Sequence, residues 1–130
     1  MCIRDRCEAE GGWKGLKARS DKSLKILEDW EAKTDWIEFL CPDASVRSNT
    51  GVTFRISDAV VSKIGEDDQR AFVKRMMKRL EEENACFDAA AYNKAPPGLR
   101  IWCGGTVEPD DVAKLTPWLD WAFSLEKAAL

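Results

Sequence analysis

The feature that most constrains the fold is the stretch of residues 95–105, which holds two adjacent prolines, a glycine and a short alternation of apolar and polar residues. Proline fixes φ and lacks an N–H, so Pro96 and Pro97 must precede a strand and cannot lie inside one. Side chains of a strand point alternately to its two faces. We therefore predict that three apolar side chains share one face, namely Leu99, Ile101 and Cys103. Arg100 and Trp102 then share the opposite face.

Arg100 is the first candidate for a binding residue, because a guanidinium held in mid-strand calls for an anionic partner. Its planar fork of N–H donors matches a carboxylate through two parallel hydrogen bonds. The same pattern also fits an arginine that extends its charged end into solvent or pairs with a nearby Asp or Glu. The residues alone leave these three interpretations open.

The rest of the chain alternates amphipathic helices with short strands. From the spacing of apolar residues we predict helices at residues 14–33, at residues 65–84 and from Pro109 onward. We predict strands at residues 47–57, at residues 85–92 and around Arg100, with a further strand-like piece at residues 36–40. The order α-β-α-β-β-α describes a small sheet with helices packed on it, an α+β fold. Pro117 lies inside the last helix, where we expect a kink or a new helix start capped by Thr116.

The first residues differ from the rest of the chain. Residues 1–11 show no periodicity, and the run Met1 to Arg6 resembles a translated sequencing adapter. We predict that residues 1–11 are a non-native or disordered leader and that residues 12–130 form one domain.

Composition argues against several classes of function. The net charge is −3, and the basic residues are interspersed with acidic ones, which disfavours nucleic-acid binding. No apolar run reaches the roughly 18 residues of a membrane span. Histidine is absent, which removes Ser/His and Cys/His nucleophile pairs and most zinc sites. Five cysteines without a C-x-x-C pair predict reduced thiols and a cytoplasmic location.

No complete catalytic set emerges from the residues. Cys41 and Cys103 lack a neighbouring base and are interpreted as small core residues. The lysines lie on polar faces, where nothing would lower their pKa for Schiff-base chemistry. We therefore predict no catalytic, cofactor-binding or metal-binding residue in this chain, and one anion-binding candidate.

Three stretches resemble a known family: residues 47–54, residues 88–102 and residues 115–123. Together they are similar to the C-terminal domain of phosphoserine aminotransferases, in the form common among alphaproteobacteria, and the resemblance covers about residues 12–130. It implies the small domain of a fold-type I, pyridoxal-phosphate-dependent transferase. Such an enzyme moves an amino group between glutamate and 3-phosphohydroxypyruvate in serine biosynthesis, with 2-oxoglutarate and phosphoserine as products.

The resemblance also implies roles for single residues. Arg100 matches the arginine that binds the substrate α-carboxylate, and Lys94 stands near the position of basic residues that bind the substrate phosphate. The lysine that carries pyridoxal 5'-phosphate, and the cofactor site itself, belong to a large domain that these 130 residues lack. The family forms homodimers. The resemblance therefore implies that the full-length parent is the enzyme and that this piece is inactive alone.

Two alternatives remain beside this interpretation. Another class V aminotransferase, such as one acting on alanine and glyoxylate, would keep Arg100 but need no phosphate-binding group; a cysteine desulfurase is disfavoured because no Ser-Ala-Cys-type loop is present. A stand-alone α+β module that binds a small anion through Arg100 would need neither a cofactor nor a large domain.

Overall fold

A computed structural model describes residues 2–130 as one small α+β fold. The helices are α1 (Ile3–Ala9), α2 (Gly12–Glu31), α3 (Glu66–Glu82) and α4 (Pro109–Ala128). The strands are β1 (Ile37–Phe39), β2 (Gly51–Ile56) and β3 (Gly98–Trp102), and a single 3-10 turn covers Val61–Lys63. The strands form one antiparallel sheet in the order β1-β2-β3. The predicted fold class is confirmed.

The sheet has one buried and one open face. Phe54 on β2 lies opposite Phe39 on β1 and Leu99 on β3, and all three side chains are buried. Thr53, the next residue, lies opposite Arg100 on the other face. The predicted alternation of β3 is confirmed, because its apolar side chains are buried while Arg100 is half-buried and Trp102 is exposed.

The helices cover the buried face of the sheet. α4 packs against both α2 and α3, and α3 also contacts β3. The apolar stripe of α3 is buried as its spacing predicted, with Phe72, Val73, Met76, Met77 and Leu80 all in the core. No helix among residues 2–130 is long and apolar enough to cross a membrane.

Pro117 neither ends α4 nor starts a new helix, so the alternative of a new helix start capped by Thr116 is wrong, while the kink stays a prediction. α4 runs without interruption from Pro109 to Ala128. Proline in a helix leaves the carbonyl four residues earlier without its usual N–H donor. Here the Thr116 hydroxyl donates to the Ala113 carbonyl oxygen at 3.1 Å, so the carbonyl regains a partner.

The predicted strand at residues 85–92 is also wrong, and with it the order α-β-α-β-β-α. Only Ala90 forms a bridge, with Leu99, beside the outer edge of β3. Asn84 and Asp88 have positive φ, at 55° and 53°, so the backbone bends just before the predicted strand and again in its middle. The observed order, including α1, is α-α-β-β-α-β-α.

The predicted leader is not without structure. Residues 3–9 form α1, although none of its side chains is buried. Arg6 donates to Glu10 and to Glu108, both at 3.1 Å, and these ion pairs place α1 beside the start of α4. The division into a non-native or disordered leader at residues 1–11 and a domain at residues 12–130 stays a prediction. Met1 lies outside the described residues.

Gly98 is required by a close approach between β2 and β3. A Cβ at this position would lie 1.9 Å from the Phe54 carbonyl oxygen, which belongs to the paired backbone. We expect Gly98→Ala to lower the free energy of unfolding by about 3 kcal/mol, since two bonded strands cannot separate locally without losing their ladder. Urea denaturation followed by circular dichroism measures this change.

Gly51 provides the matched control, because it also lies at a strand end of the same sheet but has open space where a Cβ would stand. Gly51→Ala should leave the free energy of unfolding within about 0.5 kcal/mol of the wild type. Equal losses in both variants would show that the close approach at Gly98 is not the cause.

Glu126 joins α3 to α4 from a buried position, with 3% of its surface exposed. Its carboxylate accepts from Arg75 Nε at 2.7 Å and from Arg79 Nε at 2.5 Å. Burial by itself raises the pKa of this carboxyl, but the hydrogen bonds and charges of the two arginines outweigh it and hold the pKa below its ordinary value. The ionised form of Glu126 therefore stabilises the folded chain.

We expect Glu126→Gln to lower the free energy of unfolding at neutral pH by about 2 kcal/mol, less than for a fully buried pair because both arginines are partly exposed. A carboxyl with a lowered folded-state pKa stabilises above its unfolded pKa and loses that contribution as pH falls. The gap between wild type and variant should therefore shrink from about pH 5 to about pH 3. Glu82→Gln, whose exposed carboxylate lies 3.9 Å from Lys78, is the control and should show almost no gap at any pH.

Candidate functional site

Arg100 lies in the middle of β3, whose backbone is paired on both edges. On one edge β3 is bonded to β2. On the other, the Arg100 N–H donates to the Ala89 carbonyl at 2.7 Å, and the Ala91 N–H donates to the Gly98 carbonyl at 3.0 Å. Pro97 precedes the strand and limits the freedom of the approach. The base of the Arg100 side chain is therefore fixed on a rigid element.

The guanidinium faces a cleft of about 430 Å³ with mostly apolar walls. The walls include Phe87, Asp88, Trp102, Val107 and Leu115. Arg100 is its only cation among the described residues, and Asp88 is its only acid. Apolar walls exclude water when a ligand fills the cleft, which strengthens any charge pair formed there. The arrangement suits a small ligand with one anionic group and an apolar part.

The partners of the guanidinium leave most of its donors available. Arg100 Nη1 forms a hydrogen bond with the Tyr92 hydroxyl, and the guanidinium carbon lies 4.1 Å from the centre of the Tyr92 ring. Nη2 lies 3.9 Å from Oδ2 of Asp88, whose side chain is 90% exposed. An ion pair of that length, with one member in water, contributes little. A ligand carboxylate can therefore displace Asp88 and bind the fork.

Two of the three interpretations of Arg100, extension into solvent and a tight pair with an acid, fit its surroundings poorly. The side chain is 29% exposed, so it does not simply extend into solvent, and its pairing with Asp88 is loose. A planar guanidinium with free N–H groups in a cleft binds a carboxylate or a phosphate bidentately.

Lys94 does not line this cleft. It lies on the turn from Tyr92 to Ala95, which the Ala95 N–H closes by donating to the Tyr92 carbonyl at 2.9 Å. Its side chain is exposed and has no ion-pair partner among residues 2–130. The structure thus brings Lys94 near the aromatic partner of Arg100 in the chain, but not into the same cavity.

Arg47, from the first of the three resembling stretches, has a structural position. Its guanidinium lies 3.6 Å from the centre of the Phe39 ring and donates to Glu28 at 3.0 Å and to the Cys41 carbonyl at 3.2 Å. These contacts occupy the Arg47 guanidinium. Arg47 therefore holds the loop before β2 and is not available for a ligand.

The thiols of Cys103 and Cys86 lie in settings that keep them protonated. Burial raises the pKa of Cys103 to about 11. Cys86 borders the cleft, and burial followed by the charges of Glu81 and Asp88 raises its pKa as well. Protonated thiols are poor nucleophiles. Cys41, predicted to be buried, is half-buried.

Every lysine of the chain is exposed, and none lines the cleft. A Schiff-base lysine needs a desolvated or strongly charged setting, so these residues do not fit the cofactor's lysine. No group of three or more potential metal ligands was found in the part of the chain that the structure describes.

Most of the cleft walls could not be found from sequence. Phe87 and Asp88 lie in the predicted strand of residues 85–92, and Leu115 lies in the predicted helix that begins at Pro109. Tyr92 belonged to a resembling stretch, but its contact with Arg100 had no sequence signature.

Comparisons with known proteins agree with the fold and with the resemblance. A scan against protein-family models finds no match. The phosphoserine aminotransferases of Methanosarcina barkeri (strain Fusaro / DSM 804) and Methanosarcina mazei (strain Goe1) are 39% and 38% identical to the chain over 120 residues. These matches cover 92% of the chain and 30% of each relative. The chain thus spans about a third of the length of the curated relatives it matches.

Solved structures give the same result for the fold. A phosphoserine aminotransferase from Bacillus circulans subsp. alkalophilus superposes with a TM-score of 0.70 at 19% identity, over 97% of this chain and 30% of that one. A phosphoserine aminotransferase used to study radiation damage of its Schiff base gives 0.71 at 14% identity, over 93% and 30%. The resemblance to the C-terminal part of phosphoserine aminotransferases is confirmed.

Proposed function

Because the chain is homologous to phosphoserine aminotransferases over 30% of their length, we propose that it is the C-terminal, carboxylate-binding part of a phosphoserine transaminase. The full-length parent transfers an amino group between glutamate and 3-phosphohydroxypyruvate. The observation that carries this proposal is the Arg100 guanidinium, which stands in an apolar-walled cleft with most of its donors free.

In this proposal Arg100 binds the α-carboxylate that all substrates share. Two parallel hydrogen bonds from one rigid fork fix the carboxylate plane and so the orientation of the amino acid. Both phosphoserine and glutamate carry this group, so one arginine serves both half-reactions. Lys94 binds the substrate phosphate, which is supported by its exposed amine and by the absence of a competing ion pair among the described residues.

Pyridoxal 5'-phosphate, which supplies the electron sink for transamination, is proposed to bind outside this chain. The exposure of all lysines supports this placement, because none offers the desolvated setting that a Schiff base needs. The resemblance further implies a cytoplasmic homodimer. Five free cysteines are consistent with a reducing compartment.

A chimera tests the proposal directly. Residues 12–130 replace the matching C-terminal 30% of the Methanosarcina barkeri enzyme, and amino transfer from phosphoserine to 2-oxoglutarate is measured. We expect transfer that saturates with phosphoserine. A folded, cofactor-loaded chimera that transfers from alanine to glyoxylate but not from phosphoserine would assign the chain to another aminotransferase. A folded chimera without any transfer would contradict the proposal.

A further inference from the structure

We propose that Arg70 is a positioning residue for the site, because it fixes the turn that carries both Tyr92, the aromatic support of Arg100, and Lys94. The identity of the ligand in this inference rests on the proposed function. The contact itself can be tested without any enzyme activity.

Arg70 bridges α3 and the turn through two backbone carbonyls. Its Nη2 donates to the Ala95 carbonyl at 2.6 Å, and its Nη1 lies 3.5 Å from the Tyr92 carbonyl. Glu66, one helical turn earlier, accepts from Nη2 at 2.7 Å and orients the fork. The side chain of Arg70 is half-buried, like that of Arg100. One side chain of a packed helix thus binds both ends of the turn.

The turn has few other restraints. Residues 96 and 97 are prolines and have no N–H to donate. Between the Ala91 N–H bond to β3 and the start of β3 itself, the one backbone hydrogen bond among the described residues is that from Ala95 to Tyr92. That bond closes the turn but does not attach it to the rest of the molecule. The Arg70 fork attaches the backbone of the turn to α3, beside the side-chain bond between Tyr92 and Arg100.

The position of the turn decides the position of the Tyr92 ring. The ring is mostly exposed, so burial does not hold it in place. It nevertheless lies against one face of the Arg100 guanidinium, with its hydroxyl bonded to Nη1. Cation–π contact on one face and a bond at one nitrogen leave the remaining N–H groups without a close hydrogen-bond partner among the described residues. If the turn moves, the orientation of the fork is lost.

Tyr92 is the only tyrosine of the chain, so it provides a single spectroscopic probe. The 130-residue chain labelled with 3-fluorotyrosine should give one ¹⁹F resonance. Arg100→Met shows where that resonance moves when the stack is lost. We expect Arg70→Met to move it in the same direction, towards free 3-fluorotyrosine, with an unchanged circular dichroism spectrum.

Lys74→Met is the matched control. Lys74 lies on the same helix, borders the same groove beside Arg70 and carries the same charge, but it has no ion pair among residues 2–130. The ¹⁹F resonance of the Lys74→Met variant should coincide with that of the wild type. An Arg70→Met resonance that also coincides with the wild type would overturn the proposal. If Arg70→Met does not fold, Arg70→Lys provides the comparison and should give an intermediate shift.

Kinetics of the chimera separate positioning from general structural support. We expect Arg70→Met to raise KM for phosphoserine about tenfold while kcat changes less than about twofold, and Arg70→Lys to restore part of the KM. A shifted resonance with an unchanged KM would overturn the positioning role. An inactive wild-type chimera would count against the proposed function alone, since the ¹⁹F comparison still decides whether Arg70 holds Tyr92.

Discussion

Arg100→Ala should lower kcat/KM of the chimera about 150-fold for phosphoserine and to a similar extent for glutamate. The variant loses two charge-assisted hydrogen bonds to the α-carboxylate, together about 3 kcal/mol, and each 1.4 kcal/mol corresponds to a factor of ten. Both substrates should be affected because both carry the same group. Steady-state kinetics with phosphoserine and with glutamate as the varied substrate give the two values of kcat/KM separately.

Arg55→Ala is the control for this experiment. Arg55 is an arginine on the same open face of the same sheet, but it is exposed and paired with Glu38 at 2.5 Å, away from the cleft. Its removal should change kcat/KM less than about twofold. Arg100→Lys keeps the charge and loses the fork, so it should recover only part of the activity. Unchanged kinetics in Arg100→Ala would remove this residue from the site.

Trp36→Ala should lower the free energy of unfolding of the 130-residue chain by about 4 kcal/mol. Trp36 is 4% exposed. Its ring stacks on Phe123 at a centroid distance of 4.2 Å, and its Nε1 donates to Asp120 at 2.8 Å. The substitution therefore removes a large ring from the centre of the core and leaves one acceptor of Asp120 without its donor. Urea denaturation monitored by circular dichroism gives the change.

Two further variants test whether the ring of Trp36 and its buried position account for this loss of stability. Trp36→Phe keeps a ring against Phe123 but loses the bond to Asp120, and we expect a loss of about 1–2 kcal/mol. Trp13→Ala removes a tryptophan that is 71% exposed and should change stability by less than about 0.5 kcal/mol. A large loss in Trp13→Ala, or none in Trp36→Ala, would contradict the assignment of the core.

Local patterns were sufficient for the elements that bury one regular face. The stripe of α3 and the alternation of β3 follow from helical and strand periodicity, and both are confirmed. The strand predicted at residues 85–92 is wrong. These residues are apolar and compatible with a strand, but positive φ at Asp88 bends their backbone. The uninterrupted course of α4 through Pro117 could not be predicted from sequence. The hydrogen bond from Thr116 that compensates for Pro117 depends on a side-chain rotamer.

The candidate site also combines a residue that could be predicted from sequence with surroundings that could not. Arg100 was accessible from sequence because its strand position and its match to a known family converge on one residue. Its surroundings were not, since Tyr92 and Asp88 come from the segment between α3 and β3 and Leu115 comes from α4. The link from Arg70 spans 25 residues to Ala95 and has no sequence pattern. Such contacts exist only once the chain is packed.

The claim on which the proposed function depends is that Arg100 binds the carboxylate of an amino acid. A crystal structure of the chimera soaked with glutamate tests it most directly. We expect both α-carboxylate oxygens within about 3 Å of the Arg100 guanidinium nitrogens, with Asp88 displaced from Nη2. A bound glutamate whose α-carboxylate contacts other residues, with Arg100 still beside Asp88, would contradict the claim.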